Sequence, residues 1–591
     1  MLRVAKPASL LWLLLLLPLV HSTTTTITSV LFNVTLATNV TTYEDKLLLY
    51  TLQGLVNRQS PSLFFDTGKA DMDFPQSDRL WAEYLVTNRG VVFNTTIKPT
   101  ICHLIQHFQQ KMNWKVVLYR NDTYSSHLAA TFAGIDGHSL PASYSVMSRH
   151  TCLQKLPIVK DLIAIAKIHF TNKIAAYKWA IQHLLPYTSK DVLFNADNYF
   201  NSVPSQGDAT IMSLDYPVQH GAFIMNLSPL WVCDPLDCGV PPHRKPMPLE
   251  TLLFTEIVSS RNELVSLFGW GDPEHAYTNI TTHAGGVVFC TFSSANLAYW
   301  NVLSTTLNTK PLPIPIHDNR NHLNSNTTYI LFETNEGDTP RILTSQFTSA
   351  WLSPNRGKIP IGWAVDPILG QMFPELWNFF ISNTTQNDTF LAGVDGGGYI
   401  YLDSLGKHAS AYEIRASRLL KESHINVVDV GVPQEGWPAV KINKIQEYTT
   451  NAAKTGTVPN MFMNACGVDW NMSINTWLPN NGPVVVSSVC NGPVGNDTSN
   501  GHYLYYYRDH LNQSNPESDL AWRIAWASKT YKEQNRSLFL LVFGGLGLYG
   551  GHKDYFTFLN GVMSELRREE GHDFVAVGAQ EMARLALEAR P

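Results

Sequence analysis

Eight short apolar runs in the last half of the chain limit its architecture more than any other feature. They are Tyr329–Glu333, Ile359–Val365, Thr389–Val394, Ile425–Val430, Asn460–Ala465, Val484–Ser488, Leu538–Phe543 and Phe574–Val577. Helical stretches separate most of them, the clearest being Gln371–Ile381, Ala409–Lys421, Leu520–Glu533, Tyr555–Arg567 and Ala579–Glu588. Strands that are apolar throughout, alternating with helices, belong to a parallel sheet covered on both faces. The pattern predicts an α/β fold with a C-terminal (β/α) barrel-like domain over 325–591, complete or irregular. A doubly wound open sheet is the alternative.

The preceding residues predict three smaller α/β domains, at 23–100, 101–195 and 196–317. The first opens with a strand, Ile27–Leu36, and a helix started by a capping-box pair, Thr41 and Glu44. A strand at Leu63–Phe65 follows. The second holds a strand at Val116–Tyr119 and one long helical stretch, Asp161–Leu185. The third holds a helix over Leu249–Leu267 and a strand at Gly286–Thr291. Pro311, Pro313 and Pro315 mark an extended linker before the barrel.

Arg3 and Lys6 precede an apolar run, Leu10–Val20, too short to span a bilayer, and Val20 and Ser22 supply small residues for cleavage. Residues 1–22 therefore read as a signal peptide. Thirteen Asn-x-Ser/Thr sequons agree with export: Asn33, Asn39, Asn94, Asn121, Asn226, Asn279, Asn326, Asn383, Asn387, Asn471, Asn496, Asn512 and Asn535. Composition alone would give roughly six, so a glycosylated surface is expected. The expected location is secreted and extracellular, or an acidic vacuole or lysosome. No transmembrane segment is expected in the mature chain. Cys233 and Cys238, flanking a four-residue loop, are the expected disulfide in that oxidising setting. The 43 basic and 48 acidic residues nearly balance, and no basic cluster offers a phosphate-binding face, so nucleic acid is excluded as a partner.

In parallel β/α folds the site gathers at the C-terminal strand ends. Those ends supply Glu333, Glu336 and Asp338, then Trp363 and Asp366, then Asp395 with Gly396, Gly397, Gly398, Tyr399 and Tyr401. Asp429, Asn464, Asp469, Gln580 and Glu581 follow. Two carboxyl groups facing a sugar ring hydrolyse a glycosidic bond, one as acid and the other as nucleophile or base. The expected catalytic carboxylates are Glu336, Asp338, Asp366 and Asp395. Trp363, Tyr399 and Tyr401 are the expected stacking platforms, with Gly397, Gly398, Asn464 and Asp469 also lining the sugar. The glycines imply a close backbone approach after a strand.

Other signals carry less. Gly545, Gly547 and Gly550 fit a dinucleotide loop, but no acidic residue closes the following strand. His103 and His107 have helical spacing without the glutamate of a zinc protease. His502, His510 and His552 have no metal-binding spacing. No cofactor and no metal are expected.

Gly396–Tyr401 resembles the Gly-x-Gly-Tyr-x-Tyr core of the GxGYxYP family, grouped with the glycoside hydrolases. Leu52–Arg58, Gly269-Trp270 with Glu274, and Ile361–Pro367 resemble that family's recurrent segments in the same order. The resemblance implies three N-terminal domains ahead of a catalytic C-terminal domain, acting on an oligosaccharide or polysaccharide. Leu402 stands where the motif closes with proline, and Asn335–Asp338 where the family has a Ser-Asp-Gly-Asp-like segment. The competing readings are a lectin-like carbohydrate binder and a metal-dependent carbohydrate deacetylase.

Overall fold

The structure is a computed structural model that describes residues 27–34, 36–37, 40, 42–68, 77–120, 122–196, 210–227, 249–271, 274–315, 321–334, 339–344, 346–430, 440–464, 475–479, 482–487, 505–506, 515–533, 539–544, 554–568 and 573–590. Several expectations fall outside them: the 1–22 leader, Cys233 and Cys238, Glu336, Asp338, Asp469, the 545–550 glycines, and His502, His510 and His552. The sequons at Asn39, Asn121, Asn471, Asn496, Asn512 and Asn535 do so as well.

Three small parallel sheets precede the barrel. The first orders Leu63–Asp66, Thr28–Asn33 and Val92–Asn94; the second orders Ser139–Ala142, Lys115–Leu118 and Ile158–Asp161. The third has four strands, in the order Gly286–Cys290, Val265–Trp270, Val192–Ala196 and Phe223–Met225. The expected helix over Leu249–Leu267 ends at Ser259, and its last residues belong to the strand Val265–Trp270. Leu264, at φ +64°, turns the chain between them. The stretch Asp161–Leu185 is likewise two helices, Leu162–His169 and Lys173–His183, because Asn172 caps the second by accepting from Ala175 N at 2.9 Å.

The capping box of the first helix, Tyr43–Val56, is shifted by one residue from the expected pair. Thr42 accepts from Asp45 N, and Asp45 accepts from Thr42 N at 3.1 Å. The buried Asp45 carboxylate also accepts from Arg149 and His150, each at 2.9 Å. Glu44 is less buried and meets Arg149 only at 3.5 Å. The nearby disulfide joins Cys102 to Cys152, a pairing that their separation of 50 residues hides from the sequence.

We number the strands of the last sheet alone: β1 (Thr327–Thr334), β2 (Ile361–Val365), β3 (Asp388–Ala392), β4 (Val427–Val430), β5 (Met461–Asn464), β6 (Val484–Ser487), β7 (Phe539–Gly544) and β8 (Asp573–Ala576). All eight coincide with the apolar runs. Their parallel order is β6-β5-β4-β3-β2-β1-β7, and β6 approaches β7, so the sheet curls into a nearly closed barrel. The α/β barrel-like expectation is borne out, and the open doubly wound sheet is not. Short strands at Asn475–Trp477, antiparallel to β6, and Tyr505–Tyr506, parallel to β7, flank the gap.

Strand β8 departs from the regular pattern. It pairs with the first half of β1, Thr327–Ile330, while β2 pairs with Glu333 and Thr334 at the other end. It is thus wedged between β1 and β2. The helix Ala579–Glu588 that follows lies against β1, β3, β4 and β6. Its Met582, Ala583, Leu585 and Ala586 pack with the inward residues Tyr329, Leu331, Ala364, Leu391, Val427, Met461 and Val484. Glu581 accepts from Asn321 N, just before β1, at 2.8 Å. Gln580 and Glu581 therefore sit at the N-terminal mouth, opposite the rim on which the sequence placed them.

The proline linker is not a free spacer. Leu312 N donates to Asn378 Oδ1 at 2.7 Å, Ile314 N to Ser423 O at 3.0 Å, and Trp377 Nε1 to Leu312 O at 2.9 Å. It is pinned along the outer helices of the barrel.

Candidate active site

Strand parity decides which rim residues meet. Gly362 and Ala364 of β2 face the barrel axis: a Cβ on Gly362 would lie 2.8 Å from Leu391 Cδ2, and Ala364 packs in the interior. Trp363 therefore points the other way. It is completely buried among Phe347, Trp351 and Phe556, and its indole N–H donates to Asp388 Oδ1 at 2.9 Å. The expected sugar platform at Trp363 is corrected: this ring belongs to the layer between strands and helices.

Asp366, just past β2, is buried. Its Oδ1 accepts from Ile368 N at 3.2 Å, as in an Asx turn. Burial pushes its carboxyl up to about 7, against the opposing pull of that hydrogen bond and of the Arg415 guanidinium. Asp395, past β3, is completely buried at φ +67°, a left-handed conformation that costs a non-glycine residue about 1 kcal/mol or more. Burial raises the Tyr412 hydroxyl well above its usual range, and the charges of Asp395, Tyr448 and Asp366 raise it further. Asp366 and Asp395, from consecutive strand ends, thus both lie within electrostatic reach of one hydroxyl. Tyr448 donates to the carbonyl of Asp395 at 3.3 Å, and Tyr412 to that of Gly398 at 2.8 Å.

The glycine run is shaped by protein. A Cβ on Gly398, at φ +104°, would lie 2.3 Å from Val287 Cγ1 and 2.9 Å from Phe289 Cζ, both in the third sheet. One on Gly397 would meet Ala416 Cβ at 3.3 Å. The close approach expected for a ligand is therefore made by the strand Gly286–Cys290 and the helix Ala409–Ser423. Tyr399 pairs with Val288 through both backbone hydrogen bonds, at 3.0 and 3.1 Å. Its ring stacks on Trp270 with centroids 6.4 Å apart, and its hydroxyl donates to Glu274. Tyr399 is 3 % exposed, which corrects its expected role as a sugar platform, while Tyr401 remains partly exposed. Burial raises the Tyr401 hydroxyl well above its usual range. The hydrogen bond with Tyr399 opposes this, and the charges of Glu274 and Asp395 add to it.

Two carboxylates that the sequence offers only as strand ends are as enclosed as Asp395. Glu333 on β1 and Asp429 on β4 are both completely buried. Each lies two residues beyond an inward apolar residue, Leu331 and Val427. Burial pushes both well above the carboxylate range, and the charge on Asp429 raises Glu333 further. Only the strand parity seen in the fold singles them out. Glu274 and Tyr412 join the site through tertiary contacts that no local pattern announces. Asn464 ends β5.

Among the expected glycosylation sites, Asn226 is corrected. It is 3 % exposed and its amide donates to Ala196 O at 2.6 Å, so no glycan can be attached to it in the fold. Asn326 is exposed; Asn33, Asn94, Asn279, Asn383 and Asn387 are intermediate.

A parallel barrel with buried carboxyl groups at its strand ends abuts a third small sheet, an α/β architecture. Two segments identify the relationship. Residues 326–485 match the GxGYxYP putative glycoside hydrolase C-terminal domain and residues 31–110 match the GxGYxYP_N 1st domain, which bears out the family resemblance over both segments. A crystal structure of a putative hydrolase from Bacteroides thetaiotaomicron VPI-5482 superimposes with a TM-score of 0.66 at 14% identity, covering 95% of each chain. At that identity the likeness shows a shared fold. A putative polysaccharide deacetylase from Mycobacterium smegmatis (9% identity, 48% of this chain and 99% of that one) and the Puue allantoinase (11%, 47% and 95%) reach TM-scores of 0.28, too distant to carry an argument. Comparison with curated proteins finds no relative of this chain. Among the described residues, no helix is long and apolar enough to cross a membrane, and no group of three or more His, Cys, Asp or Glu could hold a metal.

Proposed function

We propose that this chain is a secreted glycoside hydrolase whose reaction centre lies at the C-terminal strand ends of the barrel, with Asp366 and Asp395 as its carboxyl pair. The observation that carries the reading is the burial of both carboxyl groups at consecutive strand ends, inside the domain matched by the family. Asp366, pushed up to about 7, holds a proton near neutrality and donates it to the leaving glycosidic oxygen. Asp395 acts as the second carboxylate, activating water or attacking the anomeric carbon.

The test is hydrolysis of a broad oligosaccharide and polysaccharide panel by the secreted protein, with Asp366→Asn, Asp395→Asn and Asp338→Asn alongside. The proposal requires reducing-sugar release by the wild type and its loss in Asp366→Asn. Undiminished release by Asp366→Asn together with Asp395→Asn would remove this pair from the chemistry. Mass increments at the exposed Asn326, measured on protein recovered from medium, test export.

A further inference from the structure

The barrel interior is apolar from its plugged mouth upward and then changes character. Tyr329 and Leu331 of β1, and Val427 of β4, face the axis. The next inward positions on those strands are Glu333 and Asp429, since side chains alternate along a strand. Both are completely buried. All four of their carboxyl oxygens lack a hydrogen-bond partner among the described residues. No cation is paired with either there, and no metal-holding group of three is present among those residues.

Buried polar groups are nearly always satisfied, and one left unpaired destabilises the fold. Leucine or methionine at either position would suit the apolar layer beneath. Two carboxylates that act on one another cannot both ionise readily in such surroundings, so the pair retains at least one proton. It then offers one O–H donor and several acceptor lone pairs. That set complements adjacent hydroxyl groups on a sugar ring. A carboxylate, sulfate or phosphate on the sugar would instead add negative charge beside Glu333 and Asp429, with Asp366 and Asp395 at neighbouring strand ends.

We propose that Glu333 and Asp429 form an inner subsite on the barrel axis that grips the hydroxyls of an uncharged sugar and excludes uronate, sulfated and phosphorylated sugars. This rests on the carbohydrate reading of the barrel and names the substrate class.

The experiment measures binding, separately from turnover. Full-length wild type, Glu333→Gln, Glu333→Leu and Asp429→Leu are titrated by calorimetry with neutral gluco-, xylo-, manno- and N-acetylchito-oligosaccharides, and with oligogalacturonate and sulfated oligosaccharides. At least one neutral ligand is expected to bind wild type, and Glu333→Leu and Asp429→Leu to weaken it about tenfold or more. Glu333→Gln, whose amide keeps a donor and an acceptor, should retain most of the affinity. Because glutamine also removes a buried ionisable group without changing volume, Glu333→Gln should melt above wild type at neutral pH.

Unchanged affinity in folded Glu333→Leu would overturn the subsite. So would tightest binding to an anionic sugar, binding of no neutral glycan by wild type, or a lower melting temperature for Glu333→Gln. Neutral-glycan binding without hydrolysis of any substrate would discard the hydrolase reading and leave this subsite standing.

Discussion

The Tyr399 hydroxyl donates to Glu274 Oε1 at 2.8 Å, joining the loop after β3 to the helix Glu274–His283 of the third sheet's unit. The same tyrosine continues the third sheet by an antiparallel bridge to Val288 and stacks on Trp270. The residues that give the family motif its name therefore hold two units together above the barrel rim. They fix the loop that carries Asp395.

Gly398→Ala should show how tightly that seam is packed. The new methyl would lie 2.3 Å from Val287 Cγ1, on a backbone at φ +104°. Overpacking and left-handed strain each cost about 1–3 kcal/mol, so a loss of about 2–6 kcal/mol is expected in chemical denaturation. Gly406→Ala, at φ +53° but with nothing within 4 Å, should cost only the smaller backbone part.

Asp366→Asn should lower kcat by about 10²–10⁴-fold, the usual contribution of a positioned general acid. In the wild type the acid must carry its proton, so kcat/KM should fall as pH rises through about 7. The asparagine variant should lose that limb. A pH–rate profile that is flat between 6 and 8, as an order-of-magnitude window for a group near 7, would take the role away from Asp366.

Stability should respond to Glu333 and Asp429 in the opposite sense from ordinary acid denaturation. Their folded-state values lie above the ordinary 4.5 and 3.8, so the folded chain binds more protons than the unfolded one. Their contribution therefore declines as pH rises above those ordinary values, and the full penalty applies once the pair is ionised in the fold. Melting temperatures measured from pH 4.5 to 8 should decline less in Glu333→Gln/Asp429→Asn than in wild type.

Cys102→Ser or Cys152→Ser should cost about 2–4 kcal/mol, the typical effect of opening a loop closed by a bridge. Peptide mapping under non-reducing conditions should recover Cys102 linked to Cys152, and mixed pairing of either with another cysteine would contradict the fold.

The barrel was legible because its strands are buried on both faces, so each reads as an uninterrupted apolar run wherever the helices begin and end. That same property concealed Glu333 and Asp429. Where every residue of a strand is buried, nothing in the sequence separates the axis-facing row from the helix-facing row. Trp363 was misassigned for this reason, one position from the inward Gly362 and Ala364. Asp366 and Asp395 were visible because each follows a run that ends abruptly. Local competition set the remaining errors. Thr41 and Thr42 both stand three residues before an acid, and only distant Arg149 and His150 select Asp45. In the same way, Val265 and Leu267 extend a helical spacing, yet they leave the helix to pair with the strands Val192–Ala196 and Gly286–Cys290.

The wedge β8 and the helix Ala579–Glu588 have a consequence for biogenesis. Residues 573–588 seat on β1, made about 245 residues earlier, and on β3, β4 and β6, and they stop the mouth beneath all of these. On a ribosome, every wall of the barrel emerges before its stopper. The half-built cylinder must wait with its oily lumen open, a state prone to self-association and open to chaperone capture. Contacts so distant along the chain also slow folding. Nascent chains arrested before residue 573 should therefore expose a chaperone-binding surface that the finished protein lacks.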